Sequence, residues 1–389
     1  MADAPNVGAT MKRPGRHNLS VMAERCDVVV VGAGLLGLAT ARALTRRGRE
    51  VTVLEQAEVG HEAGGSKGSC RIFRLGYPDA GYVAMARSAR AAWRALEDEH
   101  GQRLLHPAPQ LTFGPELETV RQAMAAAGAP CEPLTAAEAA ARFPQIAVGG
   151  PALLEPASCV ISADAALRAL AAAVPDLRTG VTVTGIADDG RRVVIESGAG
   201  SYAADAAVVC AGPWASRLLA TAGIAVPSAA TQEQVGYLAT GAQPAAVPPI
   251  FIAHGGDNPY GLPVPGAPLY KIGIHQSGPP ADPDAQQQGP DPAASERLTG
   301  IARRYLPGLD PELVRTERCV YDNSPDEDFV VDRAGRVVVG CGTSGHGFKF
   351  GPLFGEWLAD LATGRGDGPP SPRFALGRFA AGVHPTSDA

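Results

Sequence analysis

The sequence predicts an α/β protein with more than one domain, and three observations carry that expectation. The chain has 389 residues, against a prior of roughly 150 per domain. Residues 27–55 read as strand, glycine turn, helix and second strand. Short runs rich in Val and Ala recur downstream with helical segments between them.

The first unit opens at Asp27 with four consecutive Val, Val28 to Val31. An unbroken apolar run of this length, ended by glycine, reads as a buried parallel strand. Residues 35–47 follow as a helix closed by Gly48, and 51–55 as the next strand. Between strand and helix lie Gly32, Gly34 and Gly37. Gly32 permits a tight turn, Gly34 a close backbone approach to a pyrophosphate, and Gly37 close packing of helix on strand. A diphosphate would sit at the positive end of the helix. Glu55 can accept hydrogen bonds from a ribose. The glycines alone are weak evidence. With 47 Gly in 389 residues, roughly 0.7 such triplets arise by chance, and another stands at Gly340, Gly342 and Gly345. The preceding strand, the following helix and the acid 23 residues after Gly32 lift the first match above chance. This unit does not by itself separate FAD from NAD.

Residues 1–25 read as a flexible tail, and Met22 is a candidate true start. Residues 82–99 carry Tyr82, Met85, Ala89, Trp93 and Leu96 at helical spacing. Strands are expected at 181–186, 193–197, 206–210 and 337–339, and an exposed loop at 276–292. Further helices are expected around 298–305, stopped by Pro307, and at 352–361. Charged residues make up 19% and hydrophobic ones 45%, the balance of a soluble globular protein. A net charge of -6 argues against nucleic acid and acidic membranes as partners. No stretch approaches the ~20 apolar residues of a membrane span. The basic N-terminus lacks the apolar run of a signal peptide. Seven unclustered Cys without a CxxC pair fit reduced thiols in a cytoplasmic protein and no metal site.

Five further groups of residues point to chemistry. They are Cys70-Arg71-Ile72-Phe73-Arg74, the set Tyr260, Lys271 and His275, then Cys319-Val320-Tyr321, Ser344 to Phe350, and the strand-to-turn run Val208 to Trp214. Together they resemble the monomeric sarcosine oxidase family, which includes N-methyltryptophan oxidase, within the D-amino-acid-oxidase group of FAD enzymes. The likeness runs from about residue 27 to about 361. Similar spacings occur there: 11 residues from Tyr260 to Lys271, 4 to His275, and 30 from Cys319 to Lys349.

The resemblance implies roles residue by residue. Cys319 would carry FAD covalently, and its neighbour Arg318 could favour the reactive thiolate. Lys271 would activate oxygen, because a fixed buried cation stabilises the anion formed on electron transfer. Arg74 and Lys349 would grip a substrate carboxylate, a task suited to a bidentate guanidinium. Arg71 would lie close to the flavin ring, and Tyr260, His275 and Tyr321 would line the substrate pocket. Ser66 and Gly212 would border the cofactor, and Gly342, Gly345 and Gly347 would face its ribityl chain and flavin. Surface charge, or an ordinary structural Tyr, His or Cys, is the plain alternative for each. Ser66 and Lys67 stand where sarcosine oxidases often have histidines, and Cys70 where Thr is usual, which puts the substrate in question.

The implied architecture is a Rossmann-like FAD-binding domain (26–80, 150–225 and 315–375) interleaved with a substrate domain (81–149 and 226–314). The second would be built on a large, mostly antiparallel sheet, and a tail would follow from 376. The implied reaction is oxidation of a small secondary amino acid at its N–C bond. O2 would be the acceptor, with imine and H2O2 as products and a monomeric enzyme as catalyst. An imino-acid or cyclic-amine oxidase, a dehydrogenase of the same fold, a non-catalytic flavin binder and an NAD-dependent dehydrogenase are the alternatives.

Overall fold

The computed structural model describes residues 23–241, 247–366 and 368–379. Its first sheet has a parallel centre. Glu24–Val31 lies between Val51–Leu54 and Gly200–Val209. Asp176–Arg178 extends the sheet on one side and Val337–Cys341 on the other, all parallel. The four-valine run now has a physical reason. Val28 and Val30 pack with the helices Leu35–Arg46 and Gly351–Thr363, whereas Val29 and Val31 face the opposite core. That second core includes the antiparallel strands Val183–Asp188 and Val193–Ser197 and the helix Ala215–Thr221. Both faces of the strand are covered, so alternation gives way to a continuous apolar run.

The second sheet has eight strands. In order they are Arg315–Asn323, Ala229–Ala239, Leu269–Ile274, Pro259–Pro263, Ile250–Ala253, Gln110–Phe113, Ala152–Glu155 and Glu132–Leu134. All neighbours are antiparallel except Ile250–Ala253 with Gln110–Phe113. The mostly antiparallel sheet expected from resemblance is therefore present. Helix Pro292–Tyr305 covers one face through Leu298, Ile301 and Ala302. Its start is set by Asp291, whose carboxylate accepts the Ala294 N–H at 3.0 Å. The other face looks toward the first sheet and toward a small third sheet of Cys70–Phe73, Cys159–Ser162 and Leu105–Pro107.

Several expected boundaries are corrected. Glu24 and Arg25, placed in the tail, pair with Tyr202 and Ala203. Residues 152–155 and 315–323, placed with the cofactor domain, hydrogen-bond within the second sheet. Leu105–Pro107, placed with the substrate part, belongs to the third. The expected C-terminal tail begins with a docked turn, Leu376–Phe379, where the Leu376 N–H donates to the Asp332 carboxylate at 2.8 Å. Residues 1–22, with the candidate start Met22, and 380–389 lie outside the described residues. The loop beyond 276 is pinned at both arms. Glu233 accepts the N–H groups of Ser277 and Gly278, and Asp284 accepts from the Trp214 indole. No helix among the described residues is long and apolar enough to cross a membrane.

Candidate active site and cofactor cleft

A cavity of about 810 Å³ runs along the carboxyl ends of the parallel strands and under the second sheet. That is where ligands bind in open α/β sheets.

One end is built from backbone. Gly32 has φ +99, and a Cβ there would meet the Cys210 carbonyl oxygen at 2.5 Å. A Cβ at Gly37 would fall 1.9 Å from the Gly32 carbonyl oxygen. The first and third glycines are thus packed against each other. Gly37 shapes the turn and does not line the cleft. Ser66 Oγ accepts the Leu35 N–H at 3.0 Å, in the first turn of the helix. Glu55 accepts from Ala33 N–H at 2.7 Å and from Ala57 N–H at 3.0 Å, with the His61 ring 3.6 Å away. Gly212, with φ +49, lines the facing turn.

The other end is built from buried cations. Strand alternation puts Tyr270, Ile272 and Ile274 in the core beside the helices, leaving Lys271 on the cavity face. Its Nζ lies 3.4 Å from the Cys70 carbonyl oxygen and 5.8 Å from the centre of the Tyr237 ring. Burial lowers its pKa, and the Arg71 guanidinium adds to this. Lys349 Nζ donates to Tyr77 Oη and to the His346 carbonyl, both at 2.7 Å. Burial, then Arg74, push its pKa well down. Among the described residues neither lysine makes a salt bridge. Arg74 stacks 4.3 Å from the centre of the Tyr77 ring and donates to the Gly76 carbonyl. Such buried, unneutralised cations call for an anion.

Arg71 serves the backbone. It donates to the carbonyls of Gly65, Lys67 and Cys70, so it ties the 65–70 segment while bordering the cavity. His275 is held neutral. Burial first, then Arg74 and Lys349, take its pKa down to about 4. Tyr260 fits because Gly273 across the ladder has no side chain; a Cβ there would meet its Oη at 2.5 Å. Gly345 makes room for the Tyr321 ring in the same way, at 2.1 Å. Burial raises the pKa of both phenols, so they stay protonated.

Cys319 faces the cavity from strand Arg315–Asn323. Arg318 does not favour its thiolate as expected. The two side chains alternate across the strand, and Arg318 donates to the Gly289 carbonyl and to Gln232. Burial raises the pKa of the thiol, and the cations Lys271, Arg71 and Lys67 act against it. Gly342, with φ +65, is a turn residue outside the lining; its N–H donates to Asp322 at 2.6 Å. Burial raises the Asp322 pKa to about 6. The other expected site residues all border the cavity, Gly347 included.

Sequence reasoning missed Tyr77 and His346. Tyr77 bridges Arg74 and Lys349, and the His346 ring nitrogen lies 3.3 Å from its Oη. Tyr77 follows Arg74 by three residues, a weak signal. His346 sat inside the Ser344–Phe350 motif without a role.

The glycine cradle, the helix N-terminus with Ser66 beside it and the length of the cleft suit a dinucleotide. The comparisons agree. The family described as FAD dependent oxidoreductase matches residues 27–361. The chain is 33% identical to the peroxisomal sarcosine oxidase of Mus musculus, over 86% of this chain and 92% of that one. It is 31% identical to the N-methyl-L-tryptophan oxidase of Yersinia pestis, over 91% and 99%. Among solved structures, NikD, described as an unusual amino acid oxidase essential for nikkomycin biosynthesis, superposes with a TM-score of 0.81 at 29% identity, covering 91% of this chain and 98% of that one. A glycine-built nucleotide end, a cation-lined far end and a match over nearly the whole fold lead to one conclusion: the chain belongs to the FAD-dependent oxidoreductases of the D-amino-acid-oxidase type.

Proposed function

We propose that this flavoenzyme oxidises a small secondary amino acid, N-methylated or cyclic, at its N–C bond. O2 is the acceptor, and imine and H2O2 are the products. The observation that carries this reading is the convergence of half-buried Arg74 and buried Lys349 on Tyr77, two cations without a carboxylate partner among the described residues. A substrate carboxylate supplies the missing counterion, and its charge favours the ammonium form of Lys349. FAD supplies the two-electron acceptor, and the residues around it bind, orient and polarise. Ser66, Glu55 and the Gly32–Gly34 turn would hold its nucleotide half. Lys271, on the cavity face of strand Leu269–Ile274, would stabilise negative charge arising on oxygen. Neutral His275 and the protonated Tyr260 and Tyr321 would border the amine without competing for its proton.

Covalent attachment through Cys319 is part of the proposal. It is supported by a thiol in the cleft flanked by Lys271 and Arg71. Acid precipitation should leave the yellow colour on the chain, and complete release would refute the tether. Monomeric state and cytoplasmic location belong to the same reading. All seven cysteines are unpaired, as in a reducing compartment. The deciding experiment is H2O2 release from a panel of N-methyl and cyclic amino acids beside their decarboxylated amines. Sarcosine against pipecolate and proline separates the linear from the cyclic reading. Equal rates with amines lacking the carboxylate would overturn the role of Arg74 and Lys349.

A further inference from the structure

The carboxylate site depends on a short segment that has no regular structure. Residues 74–77 follow strand Cys70–Phe73 and carry both Arg74 and Tyr77. Leu75 and Gly76 are buried, so their N–H groups need partners. A single side chain provides them. Glu155, at the end of strand Ala152–Glu155, is 1% exposed. One carboxylate oxygen accepts the Leu75 N–H and the other the Gly76 N–H, each at 2.7 Å. Ser158 Oγ donates to it as well. Among the described residues Glu155 forms no salt bridge. A Cβ at Gly76 would lie 2.9 Å from the nearer carboxylate oxygen, so glycine is what allows this approach.

We infer that Glu155 is a positioning residue for substrate recognition, which clamps the 74–77 segment so that Arg74 and Tyr77–Lys349 present one preorganised site to a carboxylate. The inference rests on the reading of Arg74 and Lys349 given above. A bidentate carboxylate on two successive N–H groups fixes a peptide plane's direction in a way a neutral side chain does not. The planes it fixes join Arg74 to Leu75 and Leu75 to Gly76. The carbonyl of Gly76 then receives the Arg74 guanidinium, and the Tyr77 hydroxyl receives Lys349. The negative charge also acts at range, since Glu155 favours the ammonium form of Lys349. Its anchor strand belongs to the second sheet, while the segment it holds leaves the third. The clamp therefore joins the two sheets at the substrate.

The test uses the FAD-loaded enzyme, with propionate, a carboxylate lacking an amine, titrated against the flavin spectrum. Glu155→Gln keeps the size and loses the charge and one acceptor. Propionate Kd and substrate KM should rise about 10–100-fold while kcat changes less than about threefold. Glu155→Asp should recover part of the loss. The pH above which propionate binding is lost should also fall in Glu155→Gln. The groups facing Lys349 are Arg74, His275, His346, Tyr77 and Glu155, and of these only Glu155 brings a negative charge. Should Glu155→Gln not fold, Gly76→Ala, which places a methyl in the 2.9 Å gap, should reproduce the rise in KM. Unchanged Kd, an equal fall in kcat and kcat/KM, or Glu155→Asp no better than Glu155→Gln overturns the inference alone. Wild-type enzyme that shows no saturable response to propionate overturns it together with the carboxylate reading.

Discussion

At the Gly32 end of the cleft, the polar groups find partners within the chain: Glu55 holds two backbone N–H groups and Ser66 holds Leu35. At the Lys349 end two buried lysines and Arg74 stand without a carboxylate in salt-bridge range. The first end is complete as folded and uses backbone shape to admit a nucleotide. The second is electrostatically incomplete, and its charge is resolved by what binds or forms there. Apart from Gly32 and Gly37, which admit no side chain, the shaped end has its polar groups already satisfied, whereas a buried charge does not tolerate loss of its partner.

Removing charge at the incomplete end should cost most. Lys271→Met should slow reoxidation of reduced enzyme by O2 on the order of 10²–10³-fold, while reduction by substrate changes little. Stopped-flow measurement of both half-reactions checks this, and equal slowing would remove the contrast between the ends. Arg74→Ala should raise substrate Kd about 100-fold; unchanged affinity takes Arg74 out of the site. A pH effect comes next. His275 has a pKa near 6.5 unfolded and about 4 folded, so the unfolded chain binds the proton first. Its burial has no effect on stability above pH 6.5 and destabilises progressively as pH falls toward about 4, by about 3 kcal/mol. His275→Gln should flatten the fall in denaturation midpoint across that window, and a fall of the same depth would refute it. The smallest effect belongs to the complete end. Ser66→Ala removes one acceptor from a helix terminus that water can reach, and should weaken FAD retention only about fivefold in a Cys319→Ser background. A loss as large as that at Lys271 would erase the distinction.

The unit 27–55 was legible because its signals are local. A buried strand, a turn and an amphipathic helix each write their period within a dozen residues. The eight-stranded sheet was legible only through resemblance. Its strands are short, and neighbours such as Ile250–Ala253 and Gln110–Phe113 lie far apart in the chain. Lys271 was readable in kind, and its alternating neighbours then proved to be core. Arg318 misled because adjacency in sequence means opposite faces in a strand. Glu155 left no trace, a lone acid after Ala152-Leu153-Leu154, since its meaning depends on residues 79 and 80 positions away. Long-range hydrogen bonding of this kind has no periodicity to detect.

Strand Ala229–Ala239 pairs on one side with the strand of Lys271 and on the other with that of Cys319, at Tyr237 and Glu233. Those two positions have the same parity, so both reactive side chains emerge on the same face. This makes the strand unequally tolerant of evolutionary change. Substitutions along it leave the alignment intact, but gain or loss of one residue between Glu233 and Tyr237 would turn either the lysine or the cysteine away from the cleft. Homologous lineages can therefore vary this strand in letters far more readily than in length.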